Sequence, residues 1–141
     1  MAAGVKKIDF ASELAIGKPN SLGNTLKVVK AVESNPKLFS QLLKLLLHED
    51  SIVAMRAMNA TKRLMRADKD FFDPHKEALV KSYSKSKHNV VRLGLITLYF
   101  DFVKEFSATE LKSIKAELSK DLIRLRKELE TAEAEMEDLV E

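Results

Sequence analysis

The chain has 141 residues with a formal net charge of +3, three histidines and no cysteine, enough for one domain that buries its own core without staples. The missing cysteine excludes disulfides, thiolate catalysis and cysteine-type zinc sites. The charge is unevenly spread. Residues 1–104 hold 18 Lys/Arg against 10 Asp/Glu, and residues 105–141 hold 6 against 11, so a basic body carries an acidic tail, which bears on partners rather than on fold.

In chain order, the first segment shows no apolar run of leader length, because Asp9 and Glu13 interrupt it. No stretch approaches the ~20 apolar residues of a membrane span. The expected location is cytoplasmic and no membrane contact is expected. The spacing predicts a short helix near residues 8–16, then helices over 21–33, 36–48, 51–67, 74–85, 89–106 and 108–136. Each has a start signal. Ser21 and Asp50 are capping residues, and Asn35-Pro36 and Asp73-Pro74 pair a cap with proline at the first helical position. His88-Asn89 opens the next helix. Ser107-Ala108-Thr109-Glu110 has the form of a reciprocal capping box.

Apolar spacing assigns the core. Phe39, Leu43 and Leu46 mark one helix face; Val53, Ala57, Ala60 and Leu64 the next; Leu79, then Val91, Leu95, Leu98 and Phe102, the following ones. Met55 and Met58 read chiefly as core filler, with partner contact as the other use of this adaptable side chain. The short connections make neighbouring helices antiparallel. The segment from Asp50 to Ala60 is echoed by His88 to Leu98, with Val53 and Val91 at equivalent places, and such self-similarity marks a helical solenoid.

On these residues the chain resembles HEAT repeats. His48-Glu49-Asp50 through Leu64 is similar to the second helix of such a repeat, with an acidic turn, a valine and small residues at close crossings. Arg92 follows Val91 as the pattern has it, whereas Ala54 follows Val53, with Arg56 nearby. The stretch from Ser21 to Phe106 also resembles small uncharacterised bacterial HEAT-like proteins. The resemblance implies an all-α, right-handed α-solenoid of antiparallel helix pairs. The expected division is an N-terminal segment at 1–20, repeats over 21–106 and a long C-terminal helix over 107–141.

That last helix carries a seam. Leu118, Leu122, Leu125, Leu129, Ala132, Met136 and Leu139 alternate spacings of four and three, the heptad pattern of a coiled coil. Capping of the solenoid by the same chain, as a monomer, is the favoured outcome; pairing of two copies through this helix is the alternative. Acidic residues at the negative pole of the helix dipole predict fraying beyond about residue 135.

Candidate chemistry is sparse. His48, His75 and His88 stand at helix ends, with no two spaced to share a metal. Asp68, Asp70 and Asp73 suit a polar loop, and serines 21, 51 and 107 suit helix starts. There is no phosphate loop, nucleophile elbow or dinucleotide fingerprint. No enzyme activity, cofactor or metal is expected. The candidate binding surface is Arg56, Lys62, Arg63, Arg66 and Arg92 on the second helices, with Tyr99 as an adjacent exposed ring. The expected function is an adaptor or scaffold that binds a protein partner. The alternative is a nucleic-acid binder whose basic stripe neutralises phosphates.

Overall fold

A computed structural model describes residues 9–17 and 23–140. Among them are seven α-helices: α1 Phe10–Ala15, α2 Thr25–Ser34, α3 Phe39–Lys44, α4 Ser51–Ala67, α5 Lys76–Lys85, α6 Asn89–Asp101 and α7 Ala108–Val140. No strand occurs among the described residues. The expected Ser21 cap lies outside them. Two compact units result, one ending at Val103 and the other beginning at Lys104.

The cap signals separate into two groups. Asp50 accepts from the Ile52 amide at 2.8 Å. Neither Asn35 nor Asp73 caps with its side chain. In both cases the chain enters through a 3-10 turn, Pro36–Leu38 or Asp73–His75. At the first, the Asn35 carbonyl takes the Leu38 amide at 3.0 Å. At the second, the Phe72 carbonyl takes the His75 amide at 3.0 Å. The tighter turn thus uses an amide that a capping oxygen would need. Asp68 caps instead, accepting from Asp70 at 2.9 Å. The helix expected over 36–48 is likewise split, with a 3-10 turn at Leu45–Leu47 that tightens its last turn before the short link to α4.

Helix α4 is the axis of the first unit. It packs on α1, α2, α3 and α6, and nine of its 17 residues are buried. Val53, Ala57, Ala60 and Leu64 are buried as expected, and so are Ala54, Met58, Thr61 and Met65, so the helix is apolar on nearly two faces. The small residues permit close crossings. At Gly94 of α6 an added Cβ would collide with the Met58 side chain, which accounts for a glycine in mid-helix despite its cost of about 1 kcal/mol. Phe39, Leu43, Leu46, Leu79, Val91, Leu95 and Leu98 complete the expected core. Phe102 is only half-buried, stacked on Phe72 at 4.2 Å between ring centres.

The repeats are joined at their corners. The His48 carbonyl meets the His88 ring Nε2 at 2.9 Å, and His48 Nδ1 accepts from the Asp50 amide at 3.0 Å. The turns before α4 and α6 are therefore tied together through the His88 ring.

The second unit is dominated by α7. Its start is the predicted box: Glu110 N–H donates to Ser107 Oγ at 3.1 Å, and Ser107 N–H donates to the Glu110 carboxylate at 2.8 Å. The helix continues to Val140, past the expected end at residue 136. Unfavourable charge–dipole contacts cost only about 0.3–1 kcal/mol each at an exposed end. The Glu, Ala, Met and Leu residues of that end are strong helix formers.

Candidate functional site

The six residues expected to form one surface do not share it. Arg56 is buried, with 1% of its surface exposed. Its Nη1 donates to the Leu14 and Ile16 carbonyls, both at 2.7 Å, bracing the end of α1 against α4. Gly23 lies over the guanidinium with φ +55°, and a side chain there would strike the Ile16 carbonyl. Arg56 is therefore a structural brace, not part of a binding stripe. The helix period already placed it there: it stands three residues after Val53, about 60° round the axis from it. Its charge argued for solvent, but two carbonyls at the end of a short helix supply the acceptors that a buried guanidinium needs.

Tyr99 is also buried, and its hydroxyl donates to the Leu79 carbonyl at 2.8 Å. Burial pushes its pKa above the ordinary tyrosine value. It is not an exposed stacking ring. Arg92 is half-buried and turns back to its own corner, with Nη2 on the Ser86 carbonyl at 2.7 Å. Lys62 is half-buried. Arg63 and Arg66 are exposed, but Arg63 Nε donates to Asn59 at 2.7 Å and Arg66 pairs with Asp101 of α6 at 2.7 Å. Of the two methionines beside Arg56, Met58 is buried and Met55 half-buried.

What the second helix α6 presents is apolar. On α6, Val90, Leu93 and Phe100 are 43%, 65% and 75% exposed. These positions fall three and seven residues apart, on one side of the helix. Val103 follows just beyond the helix end and is also exposed. The signal was present in the sequence: Asn89 to Asp101 has almost no polar face, and a helix apolar all round either is enclosed or has an apolar side to spare.

The first-helix side differs. Between α3 and α5 lies an open cleft of about 320 Å³, lined by Leu43, Leu47 and Ala78 together with Lys44, Lys81 and Lys85. A neighbouring cleft of about 430 Å³ lies by Phe71 and His75, where Phe39 meets both rings edge-on at 5.2 and 4.8 Å. His75 Nδ1 is 3.1 Å from the Phe71 carbonyl. Among the described residues no group of three His, Asp or Glu side chains is placed to hold a metal ion. None of their helices is long and apolar enough to cross a membrane.

Comparison with known proteins agrees with this architecture. The family described as HEAT repeat domain matches residues 15–111, about two-thirds of the chain. No curated protein and no solved structure matches.

Proposed function

Because the chain belongs to the HEAT repeat domain family, whose members generally serve as protein-interaction scaffolds, we propose that it is a non-catalytic adaptor that binds a protein partner through its second-helix side. The observation that carries this reading is the outward apolar face of α6, Val90, Leu93 and Phe100. A large exposed aromatic with aliphatic neighbours is costly in water and suits the core of a protein interface. The residues are held on a regular helix anchored from behind by Val91, Leu95 and Leu98, so little ordering remains for binding to impose.

A phosphate-binding surface has less support. It needs several cations in a row, whereas Arg56 is enclosed and Arg66 is paired with Asp101. Lys62 and Arg63 are the remaining basic pair on that helix. The two readings separate in two measurements. In the first, wild-type protein and a Leu93→Glu/Phe100→Glu variant serve as baits in a native lysate, with helicity checked by circular dichroism. Proteins held by the wild type should be absent from the equally folded variant; the same set on both baits would remove the α6 face from consideration. In the second, duplex DNA and RNA are titrated at low and moderate salt. Affinity that falls steeply with salt and drops in Arg63→Glu would establish the phosphate reading instead.

A further inference from the structure

The seam of α7 is open in the structure. Leu122, Leu125 and Leu129 are 50%, 47% and 58% exposed, and Met136 and Leu139 are 64% and 86% exposed. Within this 33-residue helix only Ile114 is buried. From Leu122 on, large aliphatic side chains recur along one line at steps of one or two turns.

We infer that this seam is the self-association surface of the protein, and that two copies of α7 pair antiparallel along it. The direction follows from charge and packing. Along residues 121–130, Arg124, Arg126 and Lys127 balance Asp121, Glu128 and Glu130. Along residues 131–140 there are four acids, Glu133, Glu135, Glu137 and Asp138, and no base. A parallel pair sets four acids beside four acids throughout its distal half. Paired helices lie about 8–10 Å apart, close to the screening length of about 8 Å at physiological salt, so that repulsion is not screened away. An antiparallel pair lays each acidic half beside the half of the other copy that holds all three bases. Contacts immediately flanking the seam do not decide the direction. In parallel, Asp121 meets Arg126 but Glu128 meets Glu133; in antiparallel, Arg126 meets Glu133 but Glu128 meets Glu135.

Packing selects the same direction and fixes a register. With Leu122 opposite Leu139 of the second copy, Leu125 falls opposite Met136 and Leu129 opposite Ala132. By symmetry these make six layers. Each Ala132 then sits against a leucine, so large and small residues alternate across the seam. A parallel pair would instead place Ala132 on Ala132 and leave a gap between the Leu129 and Met136 layers. The register sliding the helices by one heptad places Arg126 on Arg126 and Glu128 on Glu128, which disfavours it. In the preferred register, Arg126 and Lys127 come level with residues 134 and 135 of the second copy. They supply the cations that the acidic helix end lacks in its own chain.

The absence of cysteine makes the geometry testable with introduced thiols. Full-length protein is measured by sedimentation equilibrium at tens of micromolar, then as Leu122→Cys alone, Leu139→Cys alone and an equimolar mixture, each under mild oxidation. A dimer is expected, with cross-linking only in the mixture: two Leu122 positions lie about 25 Å apart in the antiparallel register, from 1.5 Å of rise per residue. Leu125→Glu/Leu129→Glu changes only exposed side chains and should weaken the dimer at least tenfold with helicity unchanged. A monomer at these concentrations overturns the inference. So does efficient bonding of Leu122→Cys to itself, which demands a parallel pair, and so does a dimer indifferent to the two glutamates, which would be held elsewhere.

Discussion

Helices α4 and α7 carry apolar residues at similar spacing, yet their fates are opposite. Nine of the 17 residues of α4 are buried, against one of the 33 in α7. The period tells that a helix has a face to cover; it does not tell what covers it. Helix α4 has short links on both sides and neighbours on several flanks, so its stripe broadened to nearly two faces. Helix α7 has the longer stripe and leaves most of it in solvent. The residues that distinguish the two are the small ones: Ala54, Ala57 and Ala60 let neighbouring helices approach α4, whereas the α7 seam is built of leucines that want a partner rather than a close crossing.

The contrast can be broken at several points. The largest effect is expected at Arg56. Arg56→Met keeps the bulk but orphans the buried Leu14 carbonyl and releases the part-buried Ile16 carbonyl, and an unsatisfied buried group costs about 1–3 kcal/mol, so urea denaturation should show a loss of roughly 1–4 kcal/mol. An effect near zero would mean that the brace to α1 contributes nothing. Next, Ala60→Leu should overpack α4 and cost about 1–3 kcal/mol; an unchanged melting temperature would remove Ala60 from the core. In the second unit the effects should be smaller. Ser107→Ala removes one arm of the capping box and should cost about 0.5–2 kcal/mol, read as lost helicity at 222 nm on heating. Leu129→Ala should change the stability of the monomeric chain by less than about 0.5 kcal/mol, as a surface substitution does, and a loss of core size there would show that the seam is covered within the chain.

Acid offers a last and graded test. Glu13 of α1 holds Lys27 of α2 at 3.0 Å and Asn24, just before α2, at 2.7 Å, and the bond from Lys27, then that from Asn24, lowers its pKa below the ordinary 4.5. A lowered folded pKa means that its contribution is present above the ordinary glutamate range and is lost as pH falls through it. Glu13→Gln should therefore be less stable than wild type at neutral pH and should converge on it in acid. Parallel pH profiles would show that the bond does not report on folding.

Much of the fold was legible. Asp50 and the Ser107–Glu110 box cap as their sequence says, because nothing competes for the amides they use. Asn35 and Asp73 carried the same signal and failed, because the following proline turns are 3-10 and their backbone carbonyls take an amide first. The surface was read less well. Arg56 and Tyr99 were assigned outward by residue type, although both stand within apolar stripes by period. Their polar atoms are satisfied by main-chain carbonyls at 42 and 20 residues' remove, acceptors that no local pattern reveals. Leu93 and Phe100 stood outside the expected core stripe, and the missing polar face of Asn89–Asp101 is the signal that an apolar side was left over.

The Arg56 brace also has a bearing on the order in which the molecule is assembled. A six-residue helix such as α1 cannot persist alone in water, and the guanidinium that braces it is on α4, 42 and 40 positions downstream of the two carbonyls it holds. Although it lies ahead of the other described helices, α1 reaches its full set of contacts only once α4 has formed and offered its guanidinium. The Arg56 closure is thus one of several contacts between distant positions, with His48–His88 and Arg66–Asp101, whose loop-closure cost must be met before the first unit is complete.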